Sequence, residues 1–292
     1  MKTKANVVFN TAPKKLVIRF GTQSQNQKRQ NLRDLPLSFW QLALSHCKAS
    51  ILSVTKGAQQ TAFLLSESSL VISDSELVLI TCGDTRLIDA ATYLIAALTT
   101  APIEAIWFQR HKDAVNHANP SKFEHDCSQL NAQLALLAKG QQQTTIAAEH
   151  SCWQWHAFEQ ASISLTPHRE VQLKELSSSL CERLREPSRQ VNEIKRLLYS
   201  DDFLKDWLVD EHLFTPHGFS LNALNGPHYL TVHLSPEPQH SLLSIDTNYP
   251  QTLAFQRWLT HLERTVAPSK TLVMSLSPSI RSQDSATAKA LA

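Results

Sequence analysis

The chain has 292 residues, of which 42% are hydrophobic and 18% charged, and its net charge is +2. That length buries a sizeable core, the composition is that of a globular protein, and the near balance of charge gives no reason to expect nucleic acid or an anionic membrane. No apolar run reaches the roughly 18 residues that span a bilayer, and Met1 to Asn10 lacks the apolar centre of a signal peptide.

In chain order, Leu16–Phe20 reads as a strand and the polar stretch Gly21 to Asp34 as a loop. Pro36–Cys47 reads as a helix with Phe39, Leu42 and Leu44 among its apolar positions. Strand-like runs follow at Ser50–Thr55, Ala62–Ser66, Leu70–Ser73 and Leu77–Thr81, a spacing that suggests an antiparallel meander. Asp84 or Thr85 can cap a helix whose apolar positions are Leu87, Ile88, Ala91, Leu94, Ile95 and Leu98. A strand at Ile103–Gln109 and a helix at Ser121–Ala138, entered after Pro120, complete the first half. In the second half Cys152–Phe158 is strand-like and Glu170–Leu184 helical, with shorter helical stretches at Glu193–Leu198 and Phe203–Leu208. Strands at His228–Leu234 and Ser241–Asp246, a helix at Pro250–Arg264 and a strand at Lys270–Leu276 follow. The second half repeats the texture of the first, which hints at internal duplication and an α+β class with antiparallel sheets. No linker interrupts the chain, so 1–292 reads as one domain, with a polar tail from Ser277.

Cys47, Cys82, Cys127, Cys152 and Cys181 are odd in number, widely spaced and never in CxxC, so neither a disulfide framework nor a zinc site is indicated; a reducing cytoplasm is the expectation. His212, His217, His228, His233 and His240 form a run, but no pair has tight ligand spacing backed by acids or cysteines, and no metal is expected. Lys14 and Lys15 form the only early basic cluster, and a pair is background.

Two stretches carry chemistry. Leu64-Leu65-Ser66-Glu67-Ser68-Ser69-Leu70 puts Glu-Ser-Ser between strand-like runs, and Leu77-Val78-Leu79-Ile80 leads into Thr81-Cys82-Gly83-Asp84. Taken alone, Ser-rich hairpin tips are ordinary turns, Cys82 is a small hydrophobe, and His233 is a hydrogen-bonded strand histidine. Other stretches join them in order: Leu37-Ser38-Phe39-Trp40, Ser50 to Lys56, Ile106 to Arg110, Phe123 to Leu134 and Cys152-Trp153. They continue through Phe214-Thr215-Pro216-His217-Gly218-Phe219-Ser220-Leu221-Asn222 and Thr231-Val232-His233-Leu234-Ser235-Pro236-Glu237-Pro238. Together these resemble the eukaryotic-type, pyruvoyl-dependent S-adenosylmethionine decarboxylase proenzymes, over about residues 8–276, with Ala157 to Leu213 the hard part to place.

The resemblance implies a four-layer αββα sandwich with its active site between two antiparallel sheets. It also implies a proenzyme that cleaves itself between Glu67 and Ser68 into chains 1–67 and 68–292. Ser68 would attack the Glu67 carbonyl, Ser220 would help hold the oxyanion, and His233 would withdraw the Cα proton of residue 68. The cofactor would be a pyruvoyl group made from Ser68, and Cys82 would return a proton to the substrate. Phe9 and Phe214 would sandwich the adenine of S-adenosylmethionine and Glu237 would hold its ribose, with Glu67 and Asn10 beside the substrate. Asn10 stands where the family has an acid, so one negative charge facing a cationic substrate is lost.

The same resemblance implies a buried group of acids with a lysine where putrescine binds in many members. Here Pro13 and Val17 replace two acids and Ile80 replaces the lysine, while Asp246 keeps an acid. An apolar plug and activity without putrescine are therefore expected. A homodimer is compatible with the resemblance. Two other readings stay open at this level. One is a pyruvoyl decarboxylase of ornithine or arginine, motivated by Asn10 and opposed by Phe9, Phe214 and Glu237. The other is an inactive homologue that regulates a partner, opposed by the intact Ser68, Cys82, Ser220 and His233.

Overall fold

The computed structural model describes residues 13–21, 31–66, 68–83, 85–98, 102–111, 121–137, 143–150, 153–160, 166–199 and 201–276. Two antiparallel sheets lie face to face. The first is built from β1 (Lys14–Phe20), β2 (Ile51–Lys56), β3 (Thr61–Leu65), β4 (Ser68–Ile72), β5 (Glu76–Thr81), β6 (Ile103–His111), β7 (Gln143–His150) and β8 (Trp153–Gln160), in the order β2-β3-β4-β5-β1-β6-β8-β7. The second holds β9 (His168–Lys174), β10 (Leu208–Leu213), β11 (Phe219–Asn225), β12 (His228–Ser235), β13 (Leu242–Thr247) and β14 (Lys270–Leu276), in the order β10-β11-β12-β13-β9-β14. Helices α1 (Leu37–His46), α2 (Leu87–Ala97) and α3 (Ser121–Leu137) cover the outer face of the first sheet. Helices α4 (Ser178–Arg185), α5 (Pro187–Leu198) and α6 (Leu253–Val266) cover that of the second.

Strand alternation sorts the side chains into three cores. Leu16, Ile18, Leu70, Ile72, Leu77 and Leu79 pack with Trp40, Leu44 and Leu94 under the first helices. Val171, Leu221, Val232 and Ile245 pack with Leu197, Phe255 and Trp258 under the second set. Between the sheets, Val17, Val71, Val78, Ile80 and Trp107 meet Leu224, Tyr229, Met274 and Leu276. Strands β3, β4 and β5 are thus buried on both faces, which explains their nearly unbroken apolar character.

The expected four-layer sandwich is present, and so is the duplication. The order β2-β3-β4-β5-β1-β6 in one sheet and β10-β11-β12-β13-β9-β14 in the other is the same path, with α3, β7 and β8 added to the first half. Equivalent strands face each other: β2 against β10, β3 against β11, β4 against β12.

Several expected elements change. The helix over Glu170–Leu184 is instead β9 followed by α4, which starts at Ser178. Val171 and Leu173 face the helices at period 2, but His168, Glu170 and Gln172 on the other face are buried polar groups, which hides the alternation. Phe203–Leu208 is a single short turn, Asp202–Leu204, ahead of strand β10. Strands β7 and β11 have no counterpart in the sequence reading. Helix α6 begins at Leu253, because the Thr252 hydroxyl accepts from Phe255 N–H at 3.2 Å; Pro250 lies before that cap. Thr85 does not cap α2, which starts at Leu87 after Arg86 with no side-chain cap bond; its hydroxyl turns back to Thr81 and the Cys82 carbonyl. The Asp84 alternative, Cys152 and the tail from Ser277 lie outside the described residues.

Candidate active site

A cavity of about 260 Å³ opens between the sheets at one end of β4, β5, β11 and β12. Ser68, Cys82, Phe214, Ser220, His233 and Glu237 all line it. Phe9, Asn10 and Glu67 lie outside the described residues.

Ser68 is the first residue of β4, paired with Leu65 and Thr81. Leu70 and Ile72 point to the helices while Val71 points between the sheets, so plain alternation would turn Ser68 away from the cleft. Its φ is +138°, a region costly for a residue with a Cβ. That twist accompanies a hydroxyl lying 2.8 Å from His233 Nε2. The neighbouring Ser69, fully buried, faces the same way by ordinary alternation. Its hydroxyl donates to Asn222 Oδ1 at 2.5 Å and stands 3.3 Å from the same Nε2.

His233 sits within β12 opposite Ser220 of β11, and Ser220 Oγ lies 2.7 Å from its Nδ1. The ring reaches the cleft but is otherwise surrounded by protein. Desolvation pushes its pKa down to about 4, against a smaller upward pull from the Asp246 carboxylate. The imidazole is therefore neutral at physiological pH, and one nitrogen holds a lone pair. Asn222 Nδ2 is buried without a hydrogen-bond partner among the described residues.

Cys82 follows β5 and precedes Gly83, whose φ of +65° makes the turn. Lys14 braces that turn, its Nζ donating to the carbonyls of Gly83 at 2.7 Å and Thr85 at 2.9 Å. The Thr85 hydroxyl lies 2.9 Å from Thr81 Oγ1 and 3.0 Å from the Cys82 carbonyl. At the rim, His217 Nε2 and Glu237 Oε1 are 2.8 Å apart, and the Phe214 ring meets His212 edge-on.

Behind the cleft lies a polar network of which the sequence reading placed only Asp246. Lys15, with 4% of its surface exposed, forms an ion pair with Asp246 at 2.5 Å. Tyr229 donates to the other Asp246 oxygen, and His168 joins Tyr229 to Glu76. Gln109 and Gln172 donate to the Glu170 carboxyl at 2.8 and 2.7 Å. Burial and the Asp246 charge push Glu170 up to about 7. Lys14 and Lys15, read from sequence only as a background pair of basic residues, have separate structural parts: Lys15 is buried in this network and Lys14 holds the Cys82 turn. Lys15 shares the inward face of β1 with Val17, and that period was the available signal. The plug is apolar at Val17 and Ile80 and ionic beside them. Asn222 lies two residues along β11 from Ser220 and hence on the same face, a placement hidden from the sequence because β11 was not read as a strand. Among the described residues no group of His, Cys, Asp and Glu is arranged to hold a metal.

The sequence profile described as Adenosylmethionine decarboxylase matches residues 6–291. The chain is similar to the S-adenosylmethionine decarboxylase proenzyme of Xenopus laevis, 26% identical with 86% of this chain and 78% of that one covered. It is similar to that of Drosophila melanogaster, 24% identical with 91% and 81% covered, and to that of Onchocerca volvulus, 28% identical with 91% and 75% covered. Among solved structures, Trypanosoma brucei AdoMetDC-delta26 monomer shares the fold, with a TM-score of 0.54, 18% identity, and 70% of this chain and 78% of that one covered.

Proposed function

The chain belongs to the adenosylmethionine decarboxylase family, and from that membership we propose that it decarboxylates S-adenosylmethionine with a carbonyl group made from its own Ser68. Decarboxylation of S-adenosylmethionine for polyamine synthesis is the family's reaction. One observation carries the assignment to Ser68: a hydroxyl 2.8 Å from a neutral imidazole, on a residue with a φ of +138°.

The chemistry follows from these atoms. Ser68 Oγ, which lies beside His233 Nε2, attacks the carbonyl carbon of residue 67 and gives up its hydroxyl proton. The C–N bond between residues 67 and 68 breaks, the departing amine takes the proton, and an ester replaces the amide. Ser220 steadies the ring through Nδ1 and donates toward the oxyanion as it forms. Neutral His233 next withdraws the Cα proton of residue 68. The Cβ–O bond breaks, and the chain ending at Glu67 leaves as a carboxylate. The dehydroalanine left behind tautomerises to an imine, and water converts it to a pyruvoyl ketone and ammonia. That ketone supplies the electron sink for the pair left when carbon dioxide departs.

The remaining residues bind and reprotonate. Phe214 offers a ring face to adenine. Glu237, held toward the cleft by His217, offers its carboxylate to the ribose hydroxyls. Cys82, on the same wall as Ser68, delivers a proton to the substrate α-carbon, and the Lys14 brace keeps it in range.

Activity independent of putrescine is the second part of the reading. It is supported by Lys15, whose ammonium already pairs with Asp246, and by the upward-shifted Glu170 carboxyl. A diamine would bring two cations to a region with little uncompensated negative charge.

Intact mass and a denaturing gel test the first step: chains 1–67 and 68–292 are expected, the larger without a free amino terminus. Wild-type protein that stays a single chain after prolonged incubation overturns the assignment. Labelled S-adenosylmethionine, ornithine and arginine are then assayed side by side, and turnover of ornithine or arginine alone overturns the substrate.

A further inference from the structure

Two strand connections form the rim of the cavity. Residues 214–218 join β10 to β11, and all five line the cavity. The loop is closed by Phe214 N–H, which donates to the Gly218 carbonyl at 3.0 Å. Gly218 has a φ of +123°, a conformation costly for any residue with a Cβ. Glu237 stands on the neighbouring connection, between β12 and β13. Strand β10 is the edge of its sheet and is half-buried or exposed at every position, so packing alone fixes its end of the loop weakly.

A side-chain contact ties the two connections together. His217 Nε2 and Glu237 Oε1 are 2.8 Å apart. A carboxylate accepts and does not donate, so the proton of this bond is on Nε2. Glu237 Oε2 has no hydrogen bond among the described residues. Both side chains are partly exposed, 18% for His217 and 26% for Glu237. An unpartnered glutamate at that exposure samples several rotamers, and binding a ligand would cost it that freedom. The His217 bond holds Glu237 to one arrangement in advance and leaves Oε2 for a hydroxyl. Phe214 and His217 lie on the same closed loop, so the ring offered to adenine and the group that aims the ribose acid share one support.

We infer that His217 is a positioning residue that presets Glu237 for the ribose hydroxyls, which makes ribose selectivity a property of the 214–218 loop. The inference rests on the substrate reading above and adds to it the residue that makes the carboxylate selective.

Adenosine and 2′,3′-dideoxyadenosine, titrated by calorimetry into protein already processed to chains 1–67 and 68–292, test it. His217→Ala should weaken adenosine about five- to tenfold, between the scale of an exposed ion pair and that of a buried charge-assisted bond. It should leave dideoxyadenosine binding as in the wild type, because that ligand lacks the hydroxyls that Glu237 accepts. In turnover of S-adenosylmethionine the same factor should appear in KM and not in kcat. Placed in a Glu237→Ala background, His217→Ala should weaken adenosine no further. His217→Gln keeps a donor and should recover most of the loss. Equal weakening of both nucleosides would mean a packing defect and overturns the inference. So does a loss that persists in the Glu237→Ala background, a fall in kcat at unchanged KM, or wild-type adenosine affinity in His217→Ala. If His217→Ala gives no processed protein, His217→Leu, which fills the space without a donor, takes its place in the same comparison. Wild-type protein that turns over ornithine or arginine alone would instead sink the underlying substrate reading.

Discussion

A histidine that is hard to charge keeps a lone pair free, which suits the role of base proposed for His233. Its pKa, lowered to about 4 by desolvation, leaves it neutral above about pH 5, so the self-cleavage rate should be flat from pH 5 to 8 and fall only as pH approaches 4. A rate that halves near pH 6.5 would mean an ordinary, solvated histidine. The same shift bears on stability. An unfolded histidine takes its proton near 6.5 and the folded one near 4, so His233 lowers stability as pH drops through that window and adds no further loss below it. His233→Ala should stall at the ester, which hydroxylamine cleaves. Cys82→Ala separates the two halves of the chemistry: self-cleavage should proceed, while carbon dioxide release from S-adenosylmethionine drops by about two orders of magnitude or more, as for a lost general acid. Loss of both together would remove Cys82 from the reprotonation step.

Strand β1 shows how one element serves two sites. Its outward face, Leu16 and Ile18, is read from apolar residues at period 2. Its inward face carries Lys15 beside Val17, and a lysine there reads as surface until the partner strand β13 is known. Lys15→Met should leave the buried Asp246 carboxylate without its cation and destabilise the fold by about 3–5 kcal/mol. Adding Asp246→Asn should return most of that loss in chemical denaturation. If Lys15→Met alone costs under about 1 kcal/mol, the pair is not the electrostatic plug assigned here. Strand β9, unlike β1, was not read as a strand: its polar face, His168, Glu170 and Gln172, is buried against partners that include Tyr229 and Gln109 on other strands, so burial of polar groups erases the alternation. The meander β2 to β5 is legible because both its faces are apolar and its turns are marked.

Across the molecule, two copies of one strand path stack so that equivalent strands face each other. Ser68 on β4 and His233 on β12 therefore meet across the sheet interface, 165 positions apart in sequence. The middle of that interface is closed by Val17, Ile80 and Trp107 together with the Lys15–Asp246 pair. Adding putrescine should accordingly change neither the cleavage rate nor turnover at neutral pH. Stimulation of several-fold, relieved in a Lys15→Met variant, would show that a diamine displaces the lysine. The sequence by itself determined the α+β class with antiparallel sheets, because that rests on local apolar runs and turn residues, while the family resemblance, carried by short motifs in fixed order, pointed to the segments around Ser68, Cys82 and His233. Only the tertiary structure decided which polar residues are inside. Lys15, Glu170, Ser69 and Asn222 have their partners on other strands, and a buried charge or hydroxyl is stable only when such a partner is within reach.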